Sequence, residues 1–231
     1  MKILTCQNVS FGYENKAVVR DVSFDIESGN FLSILGENGT GKSTLIKGIL
    51  GLLSPSNGKI EYHISRNEIG YLPQQVQIRK GFPATVREVI ISGLLSKQRF
   101  GWGKQKEKRE QCEKAAELCG VKDLLSRAYC ELSVGQQQRV LIARAIVADC
   151  RLLILDEPMA SLDANSTEAL YQILFSMCKD GVAVMLITHD INEALKYSDK
   201  ILHMDHVMRF FGTTQEYMQS EIFSMWRGTC L

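Results

Sequence analysis

The stretch Gly36-Glu37-Asn38-Gly39-Thr40-Gly41-Lys42-Ser43-Thr44 decides which fold this chain can adopt. Two glycines flank four residues and are followed by lysine and serine, which is the spacing of a phosphate-binding loop. The apolar run Phe31–Leu35 before it predicts a buried strand, and the run Leu45–Leu50 after it predicts the opening turns of a helix. In this context glycines let the backbone wrap around an anion, while free N–H groups and the helix N-terminus supply positive charge.

A second phosphate-handling element follows the apolar strand predicted over residues 152–155. Asp156 and Glu157 stand at its end. In P-loop nucleotide hydrolases an aspartate at such a strand end holds Mg²⁺ beside the loop Ser/Thr, and a neighbouring carboxylate suits the general base. We therefore predict that Ser43 and Asp156 bind Mg²⁺, that Lys42 reaches the terminal phosphates, and that Glu157 activates water. Taken alone, the two carboxylates are equally compatible with a solvated acidic turn.

Composition and charge are those of an ordinary globular protein. The 231 residues are 45% hydrophobic and 23% charged, and a net charge of +1 indicates no general attraction to nucleic acid or anionic membranes. The seven cysteines are scattered without a Cys-x-x-Cys pair, which predicts reduced thiols rather than a disulfide framework or zinc knuckle. We see neither a signal peptide nor a run of roughly 18 apolar residues, so we expect a soluble chain that reaches a membrane only through a partner.

The distribution of apolar residues predicts an α/β chain with a helical insertion at about 82–150, where helix formers are abundant. The alternation of strands and helices elsewhere predicts a mostly parallel sheet covered on both faces, after an antiparallel N-terminal pair. Strands are predicted over 2–11, 17–26, 31–35, 59–64, 69–72, 152–155, 182–188, 200–205 and 207–211, helices over 84–96, 104–119, 134–147, 166–179 and 191–197, and an exposed loop over 99–104.

The stretch Leu132-Ser133-Val134-Gly135-Gln136 is similar to the Leu-Ser-Gly-Gly-Gln signature of the ATP-binding cassette (ABC) ATPases, with Val134 where the family has glycine. The resemblance covers essentially the whole chain. It implies an α/β P-loop NTPase (RecA-like) fold, with a parallel-sheet core, an N-terminal antiparallel β subdomain and an inserted helical subdomain. A single domain would span 1–231, with 1–81 and 151–231 in the core and about 82–150 in the helical subdomain.

The same resemblance implies roles for residues elsewhere in the chain. Tyr13 matches the aromatic residue that stacks on adenine. Gln74 matches the glutamine that senses Mg²⁺ and the attacking water, although Gln75 directly follows it. Asp163, in Ser161-Leu162-Asp163, matches the loop that crosses the dimer interface. His189 matches the histidine that contacts the γ-phosphate, so the implied catalytic residues are Glu157, His189, Gln74 and Lys42.

In this family the signature of one cassette closes on the ATP held by the phosphate loop of another. The resemblance therefore implies a homodimer that sandwiches two ATP, in which Ser133, Gly135 and Gln136 of each chain cap the nucleotide of the other. It also implies Mg²⁺, separate transmembrane permease subunits docked at about residues 74–100, and an extracytoplasmic solute-binding protein. The chain would then lie at the cytoplasmic face of the membrane. The net charge of +1 indicates no basic nucleic-acid-binding face, so we expect no nucleic-acid partner.

Among ABC ATPases the chain most resembles subunits of bacterial zinc or manganese importers, on the stretches Phe11–Tyr13, Ile69–Gln74 and Phe82–Ile90. The resemblance implies that ATP hydrolysis energises import of a divalent metal ion. The alternative within transport is an importer of iron-siderophores or cobalamin. The alternatives from other functional classes are a soluble ABC ATPase and a P-loop kinase. We assign no structural transition metal, and we predict an ordinary turn over His203–His206.

Overall fold

The computed structural model describes residues 1–14, 16–74, 83–97, 105–160 and 162–229. These residues form two compact units, residues 1–66 with 177–231, and residues 67–176. The subdomain boundaries at 81 and 150 stay a prediction. The predictions for the loop 99–104, for Gln75 and for Ser161 lie outside the described residues. So do residues 75–82 and 98–100 of the predicted docking surface at about 74–100.

The described elements alternate between strands and helices over most of the chain. The strands are β1 (Lys2–Tyr13), β2 (Lys16–Glu27), β3 (Phe31–Leu35), β4 (Asn57–Tyr62), β5 (Ile69–Leu72), β6 (Leu152–Asp156), β7 (Ala183–Ile187), β8 (Lys200–Asp205) and β9 (Val207–Thr213). The helices are α1 (Lys42–Ile49), α2 (Val86–Ile91), α3 (Gln105–Leu118), α4 (Val134–Ile146), α5 (Ala164–Lys179), α6 (Ile191–Tyr197), α7 (Thr214–Met218) and α8 (Glu221–Thr229). The predicted order of elements is confirmed.

The helix predicted over 84–96 is wrong beyond Ile91. The chain continues as a tighter 3-10 segment, Ser92–Lys97. Gly93 lies at this point and packs closely on α4, because a Cβ there would clash with the carbonyl oxygen of Arg144. The Arg144 Nε also donates to Ser92 Oγ at 2.8 Å. The change to a 3-10 segment therefore coincides with close packing of this segment against α4.

The sheet of the first unit has the strand order β4-β1-β2-β9-β8-β3-β7. The antiparallel pairing of β1 with β2 confirms the predicted N-terminal pair. β3 lies between β7 and β8 and is parallel to both. Every residue of β3 and β7 is buried, as expected for parallel strands whose sequences are nearly continuous apolar runs. Because Ile34 pairs with Ile187, the carboxyl ends of β3 and β7 lie side by side.

In the second unit β5 and β6 are parallel, with Leu72 opposite Leu155. Every residue of β6 is buried. Helices α2, α3 and α4 bury an apolar cluster that includes Ile90, Ala116 and Val140, each fully buried. The register of β5 and β6 brings the residues that follow them to one end of the pair, where parallel strands present ligand-binding side chains.

The C-terminal helices pack on β8 and β9 through aromatic rings. Tyr217 is fully buried, and its hydroxyl and His203 Nδ1 are joined by a hydrogen bond of 2.8 Å. The His203 and Trp226 ring centroids are 4.8 Å apart. The turn predicted over His203–His206 is therefore wrong at its start, because β8 runs through Asp205 and only His206 makes the turn.

The buried His203 makes stability depend on pH. Burial lowers its pKa from 6.5 to about 4. The unfolded chain therefore binds more protons between these values, and the free energy of unfolding falls as the pH falls from 6.5 towards 4, by on the order of 2–3 kcal/mol. Urea unfolding at pH 7.0 and at about pH 4.5 measures this loss. His203→Gln is expected to flatten the dependence, and an equal slope in that variant would assign the loss to other groups.

Candidate active site

The phosphate loop joins β3 to α1 through three glycines in the left-handed region. The φ angles are 148° at Gly36, 86° at Gly39 and 96° at Gly41. Gly41 is the N-cap of α1, which begins at Lys42. Since the first N–H groups of a helix lack partners within it, this loop end is suited to an anion.

The three glycines have different surroundings. A Cβ on Gly36 would clash with the Met204 carbonyl oxygen, and one on Gly41 would clash with the Val19 side chain. A Cβ on Gly39 would meet nothing within 4 Å. Gly36 therefore permits close packing of the loop against β8, and Gly41 permits close packing against β2. Gly39 provides a left-handed backbone conformation but has no close neighbour.

These surroundings predict unequal effects of alanine. Gly36→Ala is expected to lower the free energy of unfolding by about 2–4 kcal/mol, because left-handed strain adds to a backbone clash. Gly39→Ala is the matched control, with strain alone and a cost of about 1–2 kcal/mol. Urea unfolding of both variants compares the two values. Equal costs would show that the contact with Met204 does not constrain the loop.

Lys42 is held within the loop. Its side chain is 6% exposed, and its Nζ donates to the carbonyl oxygens of Gly36 at 2.7 Å and of Glu37 at 2.6 Å. These bonds fix the ammonium group beside the glycine backbone. The positive charge of Lys42 therefore lies within the loop that is predicted to bind phosphates.

His189 follows β7 and is exposed to solvent. The next residue, Asp190, donates its N–H to Thr188 Oγ1 at 3.0 Å and caps α6 by accepting from the Glu193 N–H at 3.1 Å. This pattern fixes the backbone on both sides of His189. Because β3 and β7 are adjacent and parallel, His189 lies at the sheet end that also carries Gly36.

Tyr13 ends β1 and stands opposite Lys16 of β2. Its side chain is 45% exposed, and Lys47 Nζ lies 6.0 Å from its ring centroid. An exposed ring of this kind has a face available for stacking on a flat heterocycle.

The second unit holds the two carboxylates and the glutamine. Asp156 is 5% exposed at the end of β6. Glu157 adopts φ 48°, a left-handed conformation that is uncommon outside glycine and is typical of functional positions. Gln74 Nε2 donates to Glu157 Oε2 at 2.7 Å. The structure thus joins two residues that the sequence assigned to separate motifs.

The signature motif begins a helix. Ser133 is the N-cap of α4, and the Gln136 N–H donates to Ser133 Oγ at 3.3 Å while the Ser133 N–H donates to Gln136 Oε1 at 3.0 Å. This is a capping box, whose Ser-x-x-Gln spacing is visible in sequence. Val134 is the first residue of α4 and is 56% exposed. The backbone at this position is helical, so it does not require glycine.

Gly135 packs against the start of α5. A Cβ on Gly135 would lie 2.7 Å from Ser166 Oγ. Ser166 donates its hydroxyl to Asp163 Oδ2 at 2.8 Å and its N–H to Asp163 Oδ1 at 3.0 Å, and these bonds lower the pKa of Asp163. Ser166 was missed from sequence, although the Asp-x-x-Ser spacing at a helix start indicates a cap.

Comparison with known proteins shows the family of this chain. The family model described as ABC transporter matches residues 19–160. The chain belongs to the ABC transporter family. Its activity is the ATP hydrolysis of that family, and the predicted fold is confirmed.

The relatives of this ABC transporter chain match most of its length. The high-affinity zinc uptake system ATP-binding protein ZnuC of Bacillus subtilis is 36% identical over 212 residues, covering 89% of this chain and 92% of the relative. The manganese transport system ATP-binding protein MntB of the same organism is 35% identical over 221 residues, covering 93% and 88%. A solved ABC transporter in an inward-facing conformation is 31% identical with a TM-score of 0.85, covering 94% of this chain and 86% of that one.

Proposed function

We propose that this ABC transporter subunit hydrolyses ATP to drive import of a divalent metal ion, zinc or manganese, through a separate transmembrane permease. The observation that carries the metal assignment is the similarity to zinc and manganese transport ATP-binding proteins, at 36% and 35% identity. This similarity covers 89% and 93% of the chain, so it is not confined to the nucleotide motifs shared by all cassettes.

ATP binding is assigned to the first unit's loop and its neighbours. The Gly36–Thr44 loop is suited to the phosphates of ATP, because it has left-handed glycines, the start of α1 and the Lys42 ammonium group. The exposed ring of Tyr13 is suited to stacking on the adenine. Mg²⁺ is assigned to the Ser43 hydroxyl, the Asp156 carboxylate and Gln74. These are oxygen donors of the kind Mg²⁺ prefers, and Asp156 is almost fully buried. When bound, Mg²⁺ neutralises charge that develops on the β- and γ-phosphates.

Hydrolysis is assigned to Glu157. The oxygen of a water molecule attacks the γ-phosphorus, the bond to the β–γ bridging oxygen breaks, and Glu157 accepts the proton released by water. Gln74 orients the Glu157 carboxylate through the hydrogen bond between them. Lys42 and His189 stabilise the negative charge on the transferred phosphoryl group.

Catalysis is assigned to a homodimer that holds two ATP. Ser133, Gly135 and Gln136 of one chain cap the γ-phosphate bound by the other, with Asp163 at the interface. The exposed N-terminus of α4 supports this, because its N–H groups and the Ser133 hydroxyl are suited to an anion. A symmetric dimer that uses one contact twice completes both sites.

The permease is assigned to the surface at about 74–100, which would hold the chain at the cytoplasmic face of the membrane. An extracytoplasmic solute-binding protein would deliver the metal to the permease. Across the ranges that the structure describes, no helix is both long and apolar enough to span a bilayer.

Uptake of radioactive zinc and manganese by cells tests the proposal. Cells that lack this chain are expected to lose uptake of one of the two metals, and the wild-type chain restores it whereas Glu157→Gln does not. The chain is also expected to co-purify with a polytopic membrane protein. Unchanged uptake of both metals would contradict the metal assignment, and co-purification with ribosomes or DNA instead would contradict the transporter role.

A further inference from the structure

The turn between β8 and β9 reaches the phosphate loop. Asp205 pairs with Val207, so His206 alone forms the turn, with φ 56°. Its N–H donates to the Thr40 carbonyl oxygen at 3.1 Å. Thr40 is the middle residue of the phosphate loop and is 6% exposed. The turn is therefore bonded to the loop's backbone at the loop's centre.

His206 is also bonded to β2. Its carbonyl oxygen accepts from the Arg20 N–H at 2.8 Å, and its Nδ1 lies 3.1 Å from the Val18 carbonyl oxygen. Since a carbonyl oxygen only accepts, Nδ1 carries the hydrogen in this contact.

Val18 links this contact to the predicted adenine site. It lies two residues after Lys16, the partner of Tyr13 across the β1–β2 pair. Next to it, the Val19 side chain occupies the space that a Cβ on Gly41 would need. His206, in the turn between β8 and β9, therefore joins the middle of the phosphate loop to β2, the strand that pairs with the Tyr13 end of β1.

We infer that His206 is a positioning residue for ATP, which fixes the phosphate loop relative to the adenine-contacting hairpin. The inference rests on the proposed ATP-binding function. The described contacts of His206 are to the backbone of the phosphate loop and of β2, and no catalytic role is assigned to it. Its loss is therefore expected to weaken nucleotide binding and to leave the chemical step intact. A residue with a purely structural role would instead change the fraction of folded enzyme.

Substitution of His206 in the full chain tests the inference. His206→Gly keeps the left-handed turn and the backbone bond to Thr40 and removes only the imidazole. It is expected to raise the KM for ATP and the Kd for a fluorescent ATP analogue roughly 3- to 10-fold, the effect of one lost hydrogen bond, with kcat changed less than about twofold. His206→Asn tolerates the left-handed conformation and offers an amide donor, so it is expected to restore the KM.

His63→Gly is the control, because it removes another exposed histidine of the same unit. An unchanged KM in His206→Gly, with wild-type protein active, would overturn the inference and leave the proposed function intact. A lower kcat at unchanged KM would assign His206 to stability alone and would also overturn it. A wild-type chain that fails to bind the ATP analogue would overturn the proposed function, and the inference with it.

Discussion

Glu157→Gln is expected to retain ATP binding and to lower steady-state ATP turnover by on the order of 10²–10⁴. The amide has the shape of the carboxylate but cannot accept a proton from water. In the wild-type chain Gln74 Nε2 donates to Glu157 Oε2, and the amide oxygen of the variant can accept the same hydrogen bond. The substitution therefore removes the base and keeps the local geometry. Turnover is measured as phosphate release at saturating ATP, and binding is measured with a fluorescent ATP analogue.

The control for this prediction is Glu110→Gln, the same substitution at an exposed position of α3. It is expected to leave both binding and turnover unchanged. Near-normal turnover in Glu157→Gln would remove Glu157 from the role of general base. Loss of ATP binding together with turnover would show instead that the carboxylate supports the nucleotide site.

Ser133→Arg is expected to abolish ATP-dependent dimerisation. Ser133 is exposed at the N-terminus of α4, where the partner's phosphate loop is proposed to close. Arginine fills this space, and the loss of the hydroxyl cap costs about 1 kcal/mol of helix stability, too little to unfold the chain. Gel filtration with and without ATP, in the Glu157→Gln background that prevents hydrolysis, measures dimerisation directly.

Ser176→Arg provides a matched control, because it places the same side chain at an exposed serine of α5. This variant is expected to dimerise like its parent. If Ser133→Arg also dimerises normally, the signature does not face the partner's nucleotide and the sandwich arrangement is incorrect.

Elements with strong local signals were predicted closely from sequence. Both ends of β3 were predicted correctly, because a short apolar run bounded by a turn and a glycine loop is compatible with few structures other than a buried strand. The α4 start follows from the Ser-x-x-Gln spacing of its capping box. By contrast, the end of α2 lies where Gly93 approaches Arg144, a contact between residues distant in sequence that no local pattern indicates.

The candidate site likewise contains features that the sequence indicates and contacts that only the fold creates. Residue types at fixed spacing indicate the phosphate loop, the Asp156–Glu157 pair and the signature. The bond from Gln74 to Glu157 and the bond from His206 to Thr40 arise only when separate strands align, so no local pattern indicates them. Val134 is a further example, because the structure shows a helical backbone at this position, which does not require the conformational freedom of glycine.

The dependence of the specific ATPase rate on protein concentration tests most directly whether two chains complete each site. Because the proposed dimer forms from two chains, the rate per chain is expected to rise with concentration and to level off once dimers dominate. A rate per chain that stays constant down to concentrations at which gel filtration shows only monomer would contradict catalysis by a dimer.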